Sequence, residues 1–252
     1  MKKIIAALAA ATTLTCLAAS PPAGQPEASQ VFIVATYFHC NAATVHRADE
    51  AVDKEYKKIL DGLVAKGTVS SYGFLSKILG GEWLRAGYFT GSSLEGVLAV
   101  ADTVPHVISD NHPKMERKVL DEACSSGEDY VWHVLAGSDP RAVRGKVTFS
   151  TYFVCDQTRE TQADALVKSI LGPRYDKLVA EKRLSTWAWA EHIIGGKYRR
   201  LWTISAENLD KLIDAREALV KGEEHDPVDQ AMMSICGSHQ DVIWEVTNQG
   251  GR

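Results

Sequence analysis

The 252 residues are 45% hydrophobic and 24% charged, the proportions of one or two globular domains rather than of a disordered tail or a fibre. Twenty-eight Lys and Arg stand against 32 Asp and Glu, a formal charge of −4, and no basic block stands out, so the electrostatic footprint of a nucleic-acid binder is missing. Beyond the first twenty residues no apolar run approaches the roughly 18 residues that a membrane helix needs.

At the amino terminus Lys2 and Lys3 precede the apolar stretch Ile4 to Leu17, and Ala18, Ala19 and Ser20 follow. This is the three-part layout of a secretory signal peptide, so residues 1–20 are expected to be removed on export to the periplasm or beyond. Residues 21–30 read as a Pro-rich, turn-forming spacer. Cys16 sits where a lipoprotein signal places its acylated cysteine, but Thr13 and Thr15 replace the Leu and the small residue that such signals usually carry. Ordinary cleavage near Ala18 to Ala23 therefore competes with lipid anchoring. An acylated Cys16 would tether the protein to the inner or outer membrane, the only membrane contact expected; otherwise it is periplasmic or secreted.

The remainder is one module written twice. Thr36-Tyr37-Phe38-His39-Cys40 recurs as Thr151-Tyr152-Phe153-Val154-Cys155, and at the same offset Leu63-Val64-Ala65 matches Leu178-Val179-Ala180, Gly80-Gly81 matches Gly195-Gly196, and Arg85 matches Arg200. Cys124 and Trp132 match Cys236 and Trp244 at a slightly smaller offset. The expected organisation is a first repeat over 31–136, a linker over 137–146 and a second repeat over 147–247.

Each repeat reads strand, helix, strand, strand, helix, strand. Val31 to Cys40 and Val147 to Cys155 are β-branched and aromatic runs. A helix follows, with Val45, Ala48, Val52, Tyr56, Ile59 and Leu63 at three- and four-residue steps; in the second repeat Gly172-Pro173 is expected to break or kink it. Strands over Ser70 to Leu79 and Glu82 to Thr90, and over Ser185 to Ile194 and Lys197 to Ser205, flank the double glycines, which favour tight hairpins. Ser92-Ser93-Leu94-Glu95 reads as a capping box, with Leu94, Val97, Leu98 and Ala101 on the following helix face. His112-Pro113 and Asp226-Pro227 each read as a cap followed by proline at the first helical position. Tyr130 to Leu135 and Val242 to Val246 are the last strands.

A βαββαβ unit with a four-stranded antiparallel sheet is the ferredoxin-like arrangement. The fold class expected is α+β, two fused ferredoxin-like modules. With each sheet's second face needing cover, the chain resembles the dimeric α+β-barrel superfamily, in which two such sheets pack face to face. The resemblance spans about 30 to 247 and rests on element order and duplication. It implies an inter-sheet space that holds a small ligand, and a choice of activities among cofactor-free monooxygenases, haem-dependent enzymes of the chlorite dismutase kind and small-molecule isomerases.

In the ferredoxin-like order the last strand lies antiparallel beside the first. Cys40 and Cys155 end a first strand, and Cys124 and Cys236 precede a last one. Bridges Cys40–Cys124 and Cys155–Cys236 are therefore expected, and an exported location permits them. No Cys or Cys/His spacing typical of zinc is present, so no metal site is expected.

Strand alternation groups Trp83, Arg85 and Phe89 with Tyr198 and Arg200, Tyr72 and Phe74 with Trp187, Trp189 and Glu191, and Tyr37 and His39 with Tyr152. If Phe38, Leu84 and Leu201 face the helices, this aromatic and charged set faces the inter-sheet space and would take an anionic or aromatic small ligand. Glu191 is then the one carboxylate placed near Arg85 and Arg200. The alternative is that the aromatics only fill the interface and the arginines pair with Glu82, Glu191 or solvent. Serine-nucleophile, phosphate-loop and HExxH patterns are absent, and no catalytic constellation stands out. The functional reading is an exported binding or accessory protein; the alternative is a small-molecule enzyme of the barrel type. No cofactor is expected in the first case; haem is the cofactor of one branch of the second.

Overall fold

The computed structural model describes residues 30–111, 119, 122–140, 142–221 and 226–251. Residues 1–20, Cys16 among them, most of the spacer 21–30 and the His112-Pro113 cap lie outside the described residues.

The first module runs β1 (Phe32–Cys40), α1 (Val45–Ala51), a π-helical turn (Val52–Tyr56), α2 (Lys57–Lys66), β2 (Ser71–Gly80), β3 (Arg85–Gly91), α3 (Leu94–Asn111) and β4 (Cys124–Gly137). The second runs β5 (Val147–Val154), α4 (Glu160–Leu166), a π-helical turn (Val167–Leu171), α5 (Gly172–Ala180), β6 (Thr186–Ile194), β7 (Arg200–Ala206), α6 (Leu209–Val220), α7 (Pro227–Ile235) and β8 (Ser238–Gly251). The eight strands form a single closed antiparallel barrel in the order β1-β3-β2-β8-β5-β7-β6-β4.

Closure depends on the last strand of each module. β4 and β8 each extend over 14 residues, far beyond the apolar runs Tyr130 to Leu135 and Val242 to Val246. β4 pairs with β1 in its own module and through Val131–Gly137 with β6 of the other; β8 likewise pairs with β5 and with β2. The added segments are polar on their solvent side, so hydrophobicity alone does not mark them as strand. The disulfides Cys40–Cys124 and Cys155–Cys236 pin the start of each long strand to the end of its own module's first strand.

The helices cover the outside of the barrel. Leu60 and Val64 pack on Val69 and Tyr72, and Leu171, Tyr175 and Leu178 on Trp187. The buried residues of the first helical segment are Ala48 and Ala51, then Leu60 and Val64, where the periodicity predicts Ile59 and Leu63. The π turn between them holds more residues per turn than an α-helix and advances the buried stripe by one position. An equivalent turn occupies Val167–Leu171. Pro173 follows it in the first turn of α5, where its missing N–H is tolerated. The helix therefore continues instead of breaking, and the irregularity belongs to both modules, with or without proline.

Ser93 Oγ, rather than a Ser92/Glu95 box, accepts from Gly96 N at 3.1 Å, and Asn208 at the equivalent position caps Lys211 N at 2.9 Å. Asp226 caps Val228 N ahead of Pro227, as its sequence predicts. The β2–β3 hairpin turns through Gly80 and Gly81 at φ 84° and 52°; a Cβ on Gly80 would stand 2.3 Å from the Asp241 carbonyl oxygen.

Each disulfide closes a loop of more than eighty residues, with sequence separations of 84 and 81. Opening either one is expected to lower unfolding free energy by about 4 kcal/mol in the chain-entropy picture. Urea unfolding of Cys40→Ser/Cys124→Ser and of Cys155→Ser/Cys236→Ser measures this, and a bridge between the modules in non-reducing peptide mapping would contradict the topology.

Candidate functional site

Tyr37 and Tyr152 face the barrel interior, as alternation on β1 and β5 predicts. On β3 and β7 the expected face is inverted at the arginines. Leu84 N donates to Phe38 O while Arg85 is the register partner of Phe38; Arg199 N donates to Phe153 O while Arg200 partners Phe153. Two residues thus oppose one, a bulge that interrupts alternation. Trp83 and Tyr198 point inward, Arg85 and Arg200 outward beneath the helices, and Ala86 and Leu201 inward again.

The outward residues meet carboxylates that strand patterns alone do not place. Arg85 Nε and Nη2 donate to Asp49 at 2.6 and 2.7 Å. Arg200 Nε and Nη2 donate to Asp164 at 2.8 Å each, and Nη1 to Glu160 at 3.1 Å. Burial opposes the charge of Arg200, but the Asp164 and Glu160 carboxylates outweigh it and hold its pKa above the ordinary value. Trp187 and Trp189 also lie outside the lumen, their Nε1 atoms donating to Asp176 at 2.7 Å and Asp164 at 2.8 Å. Glu191 is bonded to His133 Nδ1 at 2.9 Å across the β4–β6 seam. Arg85, Arg200, Trp189 and Glu191 therefore line neither cavity, and Trp187, whose indole N–H is turned to Asp176, borders only the mouth. Asp49 and Asp164 recur at the offset that relates Arg85 to Arg200, a signal in the sequence that identifies the partners once helix and strand are known to face each other.

The lumen is closed at the disulfide end and open at the other. At the base Trp83, Tyr130 and Tyr198 pack with Tyr37 and Tyr152. Glu128 seals this end, accepting from Trp83 Nε1 at 3.0 Å and sharing a 3.0 Å contact with His39 Nε2. Burial pushes its carboxyl upward, but these two hydrogen bonds outweigh it and hold it below the usual carboxylate range.

Above this plug lies a cavity of about 40 Å³ whose lining includes Tyr37, Tyr152, Ser150 and Trp132. It shares Ile33, Tyr88, Arg144, Ala188 and Thr203 with a mouth cavity of about 500 Å³. The linker residues Ser138 to Pro140 and Ala142 to Arg144 border that mouth. Arg144 extends over the Tyr88 ring, 4.6 Å from its centroid, and among the described residues no carboxylate pairs with its guanidinium.

Burial and the neighbouring phenol raise Tyr37 well above its ordinary pKa, and burial pushes Tyr152 up to about 12. Both hydroxyls stay protonated at neutral pH. Arg144, Trp132, Ser150 and Tyr88 are cavity-lining residues that alternation alone does not single out, and Trp244 lies behind Tyr152. Trp132 and Trp244 carry a repeat signal, whereas nothing in the linker sequence marks Arg144.

Solved structures share this architecture. A candidate monooxygenase from Lactobacillus acidophilus matches with a TM-score of 0.58 at 11% identity, over 88% of this chain and 96% of its own. An anthrone oxidase-like protein matches with a TM-score of 0.58 at 12% identity, over 89% and 94%. A candidate chlorite dismutase matches with a TM-score of 0.52 at 6% identity, over 87% and 96%. The fold is that of the dimeric α+β barrels. Here one chain supplies both halves. No family model and no curated relative matches the sequence.

Haem, which this fold suggests, does not fit the residues present. Among the described residues no His, Cys or Met lines either cavity. Tyr72, which borders the mouth, gives its hydroxyl to Asp61 at 2.6 Å, and Tyr88 lies under Arg144. Among the described residues no cluster of three metal-ligating side chains forms.

The two arginine pairs differ in burial: side-chain exposure is 4% and 14% for Arg200 and Asp164, against 20% and 40% for Arg85 and Asp49. Arg200→Ala strands buried carboxylates and is expected to cost about 3–5 kcal/mol of stability, whereas Arg85→Ala leaves a half-exposed aspartate in water and costs about 1 kcal/mol or less. Denaturant unfolding of both variants makes the comparison; equal losses would contradict the difference in burial.

Proposed function

We propose that this protein is a small-molecule enzyme of the dimeric α+β-barrel type that admits a compact, planar organic anion through the barrel mouth. Arg144 is the observation that carries this reading. A permanently charged, planar guanidinium stands over an aromatic ring where the two cavities meet, and among the described residues no carboxylate pairs with it; such a cation is satisfied by an anionic ligand or by water. The apolar walls exclude water from the ligand's body, and the protonated tyrosines are hydrogen-bond donors rather than bases. The chemistry these residues supply is stabilisation of negative charge on a substrate oxygen. The candidate monooxygenase and anthrone oxidase-like neighbours support an enzyme over a carrier.

A second reading, binding without turnover, is favoured by one observation: among the described residues no carboxylate or imidazole borders the lumen cavity to act as a base. We also place the protein outside the cytoplasm, which its two disulfides support, with Cys16 as the anchor if lipid is attached.

Incubation under air with a panel of phenols, hydroxyquinones and aromatic carboxylates, followed by oxygen uptake and product chromatography, tests the enzyme. Turnover is expected, with kcat/KM falling at least about tenfold in Arg144→Gln, a loss of one charge-assisted hydrogen bond, and unchanged in Arg85→Ala. Saturable binding without product establishes the second reading, and no binding by any compound overturns both. For the anchor, Cys16→Ser is expected to abolish globomycin-sensitive processing and membrane retention; unchanged retention removes the lipid.

A further inference from the structure

The two hairpins at the disulfide end of the barrel share a feature that the packing of the chain does not explain. Ile78-Leu79-Gly80-Gly81 and Ile193-Ile194-Gly195-Gly196 occupy equivalent positions in the two modules, and all four aliphatic side chains are exposed, Leu79 by 67% and Ile194 by 52%. Consecutive strand residues point to opposite faces, so neighbours are exposed together only where the strand runs past the layers on both sides. The ladders that join the hairpin strands end at Ser76–Arg85 and Glu191–Arg200, short of both aliphatic pairs. One exposed aliphatic residue is ordinary, but a contiguous group of them marks a surface that something covers. Inheritance from the duplication does not account for them, because the exposed charge beside them has diverged: Glu82 of the first module corresponds to Lys197 of the second.

The two tips belong to one patch. Trp83 and Tyr198, which follow Glu82 and Lys197 in the chain, meet at the base of the barrel with ring centroids 5.8 Å apart. Lys197 Nζ stands 5.1 Å from the centroid of the Tyr198 ring. Burial raises the Tyr198 hydroxyl above its ordinary pKa, Lys197 draws it down and Glu82 pushes it up, so both charges surround one phenol. The base therefore presents an aliphatic pair on each side of the pseudo-twofold axis, with an acid beside one pair and a base beside the other. Such a surface fits its own copy. A second chain turned over against it sets Glu82 against Lys197 and Lys197 against Glu82, while Ile78 and Leu79 meet Ile193 and Ile194. That contact is isologous and closes at two chains. A bilayer is a poorer match, because elements that dock on membranes flank their apolar face with cations, whereas Glu82 and Glu128 stand beside Lys197 here.

We propose that the base of the barrel is a homodimer interface in which the β2–β3 tip of each chain meets the β6–β7 tip of the other. The mouth and Arg144 lie at the opposite end, so the proposal is independent of the small-molecule reading, and both mouths stay open in the pair.

The test is sedimentation velocity of the whole protein over a concentration series, in the Cys16→Ser background so that no lipid drives association. A monomer–dimer equilibrium is expected. Leu79→Ser/Ile194→Ser alters exposed positions only and should leave monomer at concentrations where the parent is dimeric, with the urea unfolding of the monomer unchanged. Glu82→Lys and Lys197→Glu each set like charges against each other at both contacts and should raise the dissociation constant at least about tenfold. An equimolar mixture of these two variants should recover the parent's affinity, because each supplies the charge that the other lacks. A parent that is monomeric throughout, or a dimer indifferent to Leu79→Ser/Ile194→Ser, overturns the proposal. A mixture that associates no more tightly than its components overturns the crossed pairing of the tips and the proposal with it. Flotation of a monomeric protein with phosphatidylcholine vesicles, lost in Leu79→Ser/Ile194→Ser, also overturns it and gives the tips to the membrane.

Discussion

Each module carries a last strand longer than its own sheet requires, and the molecule depends on where the surplus goes. An open strand edge presents unpaired N–H and C=O groups that must find partners. β4 and β8 resolve this by crossing to the other module, to β6 and β2 respectively. Once both crossings are made no edge is left, and a face that would have been solvated becomes a lumen. The disulfides hold the start of each long strand, so the crossing register is fixed from the base upward. The same closure decides which end is plugged with aromatics and which is spanned by the linker.

Closure also separates two chemical environments. Outside the barrel wall, beneath the helices, polar groups are matched: Arg85 pairs with Asp49, Arg200 pairs with Asp164 and Glu160, and the Trp187 indole N–H donates to Asp176. The first two pairs are the same interaction in each module, buried more deeply in the second. Inside the wall the polar groups border a cavity instead: Tyr37, Tyr152 and Ser150 line it, and among the described residues no carboxylate pairs with Arg144. Matched polar groups buried together stabilise the layers they join, whereas a cation left unpaired at a cavity is a reason to look for a ligand.

Element order, the duplication, the paired hairpins and both disulfides are legible in the sequence, because each follows from local periodicity or from a repeated residue. The site was harder to read for a physical reason. Alternation on a strand is a two-state code, and one extra residue at Leu84/Arg85 and at Arg199/Arg200 inverts it for the arginines. The Trp187 and Trp189 indoles donate to helix carboxylates outside the wall, on the same side as those inverted arginines. The π turns act similarly on the helices, moving the buried stripe from Ile59 and Leu63 to Leu60 and Val64. Tyr37 and Tyr152 line the lumen cavity as alternation predicts, since β1 and β5 have no irregularity before them. Arg144 was invisible because a linker has no periodicity to violate.

Fusion of the two halves has a consequence that a symmetric pair of separate chains cannot reach. Identical subunits place identical walls about their twofold axis, so a ligand lying on that axis meets the same groups from either side. In this chain the floor keeps the symmetry, with Tyr37 opposite Tyr152 and Trp132 matched by Trp244, while the level above it has lost it. Ile33 and Ala35 of the first module correspond to Thr148 and Ser150 of the second, and Arg144 comes to the mouth from a linker that exists only once. A symmetric floor suits a small centred group such as a single oxygen, and an asymmetric mouth suits a body with one polar and one apolar edge. The divergence therefore acts on orientation rather than on the anchoring atom, which is the level at which a duplicated barrel is free to change without disturbing the packing that closes it.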